Sequence, residues 1–163
     1  MYRKISDFVT DFQEDSAEMQ KNFAELTDTM LGIRAKEGFF SIGEVSVHLI
    51  NAWDEAFSEL KRPLAWDPLT TSATAAEIKA AWTHLRKILP AHVQANWTDA
   101  QLGDEVLMWG MNWTTAKALW EMQKHTIHHH GQLTVLLRLA AAKVHGVYGP
   151  SQEEAAAMNR PGD

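Results

Sequence analysis

Four stretches of this chain repeat apolar residues at intervals of three and four, and each is bounded by capping or breaking residues. That pattern commits most of the sequence to amphipathic helices that must share a core. In the first, Ile5, Phe8, Phe12, Met19, Phe23, Leu26 and Met30 fall on one face, with Asp7, Asp11, Glu14, Asp15 and Lys21 on the others, which predicts a helix from about Ser6 to Thr29. Ser41-Ile42-Gly43-Glu44 is a capping box, a Ser hydroxyl at the N-cap with a Glu three residues on, and Ile42, Leu49, Trp53, Phe57 and Leu60 follow as a second stripe that Pro63 and Pro68 end. Thr74-Ala75-Ala76-Glu77 repeats the device ahead of Ile78, Trp82, Leu85 and Leu89, and Pro90 is expected to end or kink that third helix. Residues 96–112 are irregular and flap-like, with a short Val106-Leu107-Met108-Trp109 run that reads as extended and with Trp97, Trp109 and Trp113 as candidates for a pocket mouth or for the core. The fourth helix is expected from about Thr115 to Lys143, followed by a turn at Gly146-Val147-Tyr148-Gly149-Pro150 and a short helical turn within Gln152 to Asp163. The fold class is all-α, an up-down-type four-helix bundle, and no internal repeat is present.

At 163 residues and 45% hydrophobic content the chain is expected to form one domain, residues 1–163, with a core of its own. A net charge of −6 offers no basic field to a phosphate backbone, so no nucleic-acid partner is expected, and the seven tryptophans read as core and pocket walls. The chain has no cysteine, which excludes a disulfide scaffold, a Cys-ligated zinc site and a protein-borne thiol nucleophile. No signal peptide and no bilayer-spanning stretch is evident, so a cytoplasmic protein without a membrane partner is expected.

The chemistry concentrates in His125-Thr126-Ile127-His128-His129-His130-Gly131-Gln132-Leu133, where four of the eight histidines lie within six residues. A helix turns by about 100° per residue, so His125 and His129 stand one above the other, on the side that also carries Ala118, Met122, Leu133, Leu136 and Ala140. Two inward imidazoles one turn apart can grip one metal ion, or they can be core histidines satisfied by hydrogen bonds; two ligands do not hold a metal tightly, so a third would come from elsewhere. His128 is turned roughly 60° aside and His130 more than about 100°, so neither aims at the same point. His48 lies at the edge of the second helix's stripe, either as a half-exposed boundary residue or as a ligand reaching in from the side. His84 and His92 have no partner at ligand spacing and read as surface or boundary residues. Trp120 and Ile127 give the fourth helix a second apolar face, which belongs either to the middle of a bundle or to a homodimer contact. Neither Glu-x-x-His on paired helices nor His-Glu-x-x-His occurs, so di-iron and zinc-protease arrangements have no basis here.

Three features together resemble the DinB-like (YfiT-like) metal-binding four-helix bundles: the capped Ser41-Ile42-Gly43-Glu44-Val45-Ser46-Val47-His48-Leu49 segment, the His125-to-Leu133 string and the closing Gly-Val-Tyr-Gly-Pro. The resemblance spans roughly Ile5 to Pro150. It implies a divalent-metal site made of one histidine from the second helix and two from the last long helix, which by position are His48, His125 and His129. His130 departs from the family, which commonly has Arg before Gly-Gln-Leu. Members with a known reaction resemble thiol-dependent transferases or isomerases, in which a metal helps activate a low-molecular-weight thiol such as bacillithiol or mycothiol.

Three protein ligands leave a coordination position open, the pattern of a catalytic site. The open position fits either a metal-bound hydroxide or a metal-bound thiolate, and the resemblance implies the second, so the expected function is a metal-dependent enzyme of thiol S-transferase type acting on a small-molecule substrate, with zinc or nickel as the metal and a small thiol as cofactor. The alternatives are a metal-dependent hydrolase and a non-catalytic, metal-stabilised dimeric binding or structural protein. Beyond the metal, no general acid or base is identified. Glu44, Asn51, Glu55, Glu121 and Gln132 lie within helical reach as candidates to hold the second ring nitrogens of the ligands.

Overall fold

The computed structural model describes residues 1–158. Four long helices form the body: α1 (Ile5–Ala24), α2 (Ile42–Glu59), α3 (Ala75–Asn96) and α4 (Thr115–Leu139), with a short α5 (Gln152–Ala157) at the end. Between α3 and α4 stands a two-stranded antiparallel hairpin, β1 (Glu105–Met108) and β2 (Met111–Thr114), with Val106 opposite Trp113 and Met108 opposite Met111. The all-α four-helix bundle is the one the periodicity predicts. Periodicity does not carry which helices are neighbours: α1 packs on α3 and α4, and α2 packs on α4 and α3. Helices α1 and α2, and likewise α3 and α4, therefore lie across the bundle's diagonal, and the two connections that make those crossings, 25–41 and 97–114, are long enough to do so. No helix among the described residues is long and apolar enough to cross a membrane.

Both expected capping boxes are formed. Ser41 Oγ accepts from the Glu44 N–H at 3.2 Å while Glu44 accepts from the Ser41 N–H at 2.7 Å, and Thr74 with Glu77 does the same for α3. The core is aromatic, with Phe12 edge-on to Trp53 at 5.1 Å and Phe23 edge-on to Trp82 at 5.3 Å.

The element ends differ from the sequence reading where tertiary contacts intervene. Helix α1 stops at Ala24 rather than Thr29, and a 3-10 turn at Asp28–Met30 takes over the same apolar spacing, so Leu26 is still buried. That turn places Asp28 to accept from the Ala75 N–H at 2.7 Å, satisfying a free donor at the start of α3. Pro90 does not end α3, which continues for six residues to Asn96. A proline inside a helix removes one hydrogen bond, at a cost of about 3 kcal/mol, and the complete burial of Leu89 and Val93 on either side offsets it. Helix α4 ends at Leu139 rather than Lys143, because Ala141 turns left-handed at φ 55° and the chain doubles back to bury Val144. The last helical turn covers Gln152–Ala157, and residues 159–163 of the expected segment lie outside the described residues. Trp120, read as a second apolar face of α4, is half-covered by Tyr2 in an edge-on contact at 5.7 Å, and Ile127 is half-buried beside it.

The C-terminal segment is fastened by Asn22, which is completely buried. Its amide nitrogen bonds His130 Nε2 at 2.8 Å and donates to the His145 carbonyl at 2.9 Å, while its oxygen accepts from the His145 N–H at 2.9 Å. The His145 ring is held between Glu25 at 3.1 Å and Glu154 at 3.2 Å. At Gly146 a Cβ would meet the Gly149 carbonyl oxygen at 1.7 Å, so only glycine permits the tight return. Asn22→Ala would strand the His145 backbone groups and the His130 ring nitrogen without partners. The expected cost is about 2–4 kcal/mol, measurable by urea denaturation, with amide exchange at residues 145–151 accelerated before the rest of the chain. A loss below about 0.5 kcal/mol would show that this fastening contributes little.

Candidate metal centre

The structure brings His48, His125 and His129 together at the seam between α2 and α4. On α4, His125 and His129 stand one turn apart with ring centroids 4.5 Å from each other. His48 meets them from α2, with centroids 5.0 Å from His125 and 4.7 Å from His129. It is not on a free boundary. Gly43, Ser46 and Ala52 of α2 are buried, so the face α2 buries is broader than its large apolar residues mark, and His48 lies at the inner edge of that second seam.

The three Nε2 atoms point at one spot. His125 Nε2 is 3.2 Å from His48 Nε2 and 3.1 Å from His129 Nε2. An imidazole nitrogen offers in the ring plane either one hydrogen or one lone pair, so His125 Nε2 can satisfy only one of these neighbours by hydrogen bonding. The donor set is instead that of a single ion shared by three lone pairs, which makes the trio a fit for a divalent metal.

The protonation states agree with that fit. Burial, followed by the mutual repulsion of His129, His48 and His128, pushes His125 down to about 4. Burial also lowers His129 and His48, partly opposed at His129 by its bond to Gln132 and at His48 by the charge of Glu55. All three rings are thus neutral near pH 7, the form that ligates.

Around the trio, His129 Nδ1 bonds Gln132 Oε1 at 2.7 Å, which fixes the tautomer that turns Nε2 inward if Nδ1 carries the proton. Gln132 in turn bonds the exposed His128 at 3.0 Å. His125 Nδ1 is buried without a partner, so this ring depends on packing. Two aromatic side chains flank the site. Phe40 stacks on His48 at 5.7 Å and stands edge-on to His129 at 6.4 Å. Trp109, at the hairpin turn, lies 6.3 Å from His125. Trp109 and Gly110 both have positive φ, 51° and 76°, as a two-residue type I′ hairpin requires. For a bulky Trp that conformation costs about 1–3 kcal/mol and marks a side chain whose position the fold over-determines.

Gln132 is the one of the five proposed supporting residues that bonds a histidine of the trio. Glu44 caps α2 and faces Arg34 at 3.5 Å; Asn51 is used twice on the Leu69 backbone, at 2.8 and 2.9 Å; Glu121 pairs with Lys117 and with Lys124. Glu55 is exposed and acts on His48 only through its charge. Each of these four is claimed by a nearer partner or by solvent. His130 faces away from the trio and is buried against Asn22, where burial lowers it to about 4. Of the three tryptophans considered for a pocket mouth, Trp109 flanks the trio, while Trp97 is buried against Phe57 and under Arg62, and Trp113 is half-buried against the core. Of the other histidines, His84 is exposed against Trp66 and His92 is half-buried beside Phe57. Phe40 went unnoticed in the sequence, although a signal was present: it precedes the N-cap Ser41, the position from which a hydrophobic staple reaches Val45.

Comparison with known proteins agrees with this architecture. A DinB-like protein from Bacillus cereus, solved by crystallography, is 27% identical and superposes with a TM-score of 0.84 over 91% of this chain and 100% of its own. The DinB-like protein YjoA of Bacillus subtilis shares the fold at 16% identity, with a TM-score of 0.69 over 84% of this chain and 94% of its own. YrdA of Bacillus subtilis is 26% identical over 158 residues, 94% of this chain and 93% of its own length. The family model described as the DinB family matches residues 1–162, and the chain belongs to that family.

Proposed function

We propose that this protein binds one divalent metal through His48, His125 and His129 and acts as a metal-dependent enzyme of thiol S-transferase type. The observation that carries the reading is the convergence of three neutral imidazole nitrogens on one point, in an arrangement that hydrogen bonds cannot satisfy. Zinc and nickel suit an all-nitrogen set. A bound divalent ion would supply Lewis acidity, lowering the pKa of a thiol or water presented to it. Because the chain has no cysteine, the thiol must be a separate small molecule. The protein's own share is positional: Gln132 holds His129, α2 and α4 fix the spacing of the rings, and Phe40 and Trp109 limit the approach of water and substrate.

Untagged protein purified without a nickel column is expected to carry about one metal per chain by mass spectrometry, lost in His48→Ala, His125→Ala and His129→Ala variants that remain helical by circular dichroism. Gln132→Ala should retain the ligands but weaken metal affinity about 10- to 100-fold. Metal retained in the His48 variant would refute the three-histidine site. In the cobalt-substituted protein, a low-molecular-weight thiol such as bacillithiol should change the visible spectrum, and an unchanged spectrum would remove the thiol from the proposal.

The shifted histidines also predict how the metal-free protein responds to acid. In the unfolded chain His125 titrates near 6.5 and in the folded chain near 4, so between these values the unfolded state binds the extra proton. The stability associated with neutral His125 is complete above about 6.5 and is lost as pH falls to about 4, with His130 adding in the same direction. Chelator-treated protein should therefore lose Tm across that window, and should lose less in a His125→Gln variant. Equal losses in the two proteins would contradict the assignment.

A further inference from the structure

Beside the histidine trio is a pocket of about 240 Å³ lined by Phe39, Phe40, Val45, Gln132, Val135 and Leu136. It adjoins the proposed centre through two of its lining residues: Phe40, stacked on His48, and Gln132, bonded to His129. Its rim is apolar and open, with Phe39 61%, Phe40 51% and Val135 57% exposed. The rim joins the loop before α2 to a surface turn of α4, so its apolar surface is contiguous across two elements. Contiguous apolar surface beside a polar centre marks a place where something apolar binds.

We infer that this pocket is the substrate's apolar subsite: the group undergoing reaction sits at the three histidines, and an aliphatic or aryl substituent attached to it lies between Phe39, Phe40 and Val135. The inference deepens the metal-centre reading and rests on it. The size supports a substituent over a protein partner. The pocket is smaller than the roughly 300–1,000 Å³ of sites for whole drug-sized ligands, and it is concave, whereas a stable protein interface covers about 800 Å² on each partner. Specificity would then come from the length of the apolar group, because the walls are hydrocarbon and the polar function of Gln132 is already engaged by His129 and His128.

The test uses the cobalt-substituted full-length protein and a series of hydroxamates, which take up open metal positions with a constant head group. Aceto-, butano-, hexano- and benzohydroxamate are titrated while the visible cobalt spectrum is followed. Affinity is expected to rise about three- to fourfold per methylene from aceto- to hexanohydroxamate, with benzohydroxamate also tighter than acetohydroxamate. Val135→Glu, a change at an exposed position of the subsite wall, should abolish the gain from chain length, so that hexanohydroxamate binds no tighter than acetohydroxamate. An affinity independent of length, with acetohydroxamate bound normally, would overturn the subsite while leaving the metal centre intact. A protein that takes up no cobalt, or takes it up and binds no acetohydroxamate, would overturn the metal reading and the subsite with it. A length-independent series in a dimer that Val135→Glu converts to monomer, by sedimentation, would assign the pocket to a second copy of the chain and equally overturn the inference.

Discussion

Three imidazole nitrogens held within 4.8 Å of one another are the constraint on which the functional end of this molecule depends. Unpaired polar groups are costly when buried, and like groups facing one another would ordinarily be driven apart by rotamer changes or hydration. Here rotation is limited from several sides. His129 is tied to Gln132, His48 is stacked under Phe40, and His125 is enclosed with its second nitrogen unpartnered. Low proton affinity is the consequence of that enclosure, and it keeps the lone pairs free near neutrality.

The rest of the fold serves to hold α2 and α4 at the spacing the trio needs. The aromatic core of Phe12, Phe23, Trp53 and Trp82 joins α1 to α2 and α3, and α1 reaches α4 as well, so neither site helix can shift without disturbing buried rings. On one side the hairpin is anchored where Arg62, lying over Trp97 at 4.6 Å, pairs with Asp104 at 3.0 Å, and the Asp104 carbonyl accepts from the first N–H of α4. On the other side the link from Asn22 to His130 and His145 locks the C-terminal segment against α1 and α4. His130 is thus used internally and bonds a neighbouring amide. The histidine-rich string therefore divides its work by helical position: 125 and 129 face the centre, 128 meets Gln132 at the surface, and 130 fastens the opposite side.

Within the DinB family this chain supplies a framework with a three-nitrogen centre, an aromatic flank and an apolar pocket, and no thiol of its own. That combination is what the proposed thiol-transfer reading would draw on. Neither flank comes from the helices that hold the histidines. Phe40 belongs to the loop ahead of α2 and Trp109 to the hairpin, the two long connections that also let consecutive helices cross the bundle.

Local physics was written plainly in the sequence. Ser41 with Glu44 and Thr74 with Glu77 marked helix starts, and the three-and-four spacing of apolar residues within each helix, among them Phe8 and Phe12, Trp53, Trp82 and Leu133, marked the faces that share a core. The pairing of His125 with His129 followed from the helical repeat alone. His48 did not, because Gly43, Ser46 and Ala52 bury a face that hydrophobic periodicity does not count, and only the resemblance to a family pointed to it. Pro90 inside α3, the early end of α4 and the engagement of Asn51 on the Leu69 backbone were decided by packing between segments that no local pattern relates, whereas Glu44 and Glu121 are taken up by partners within a turn of their own helix. The sequence by itself determined the helices, their caps and the histidine pair, since those depend on neighbours within a turn or two. The tertiary structure decided which helices touch, which polar groups remain free to face the centre and which aromatic rings flank it, because those depend on the path of two connections whose local sequence fixes no direction.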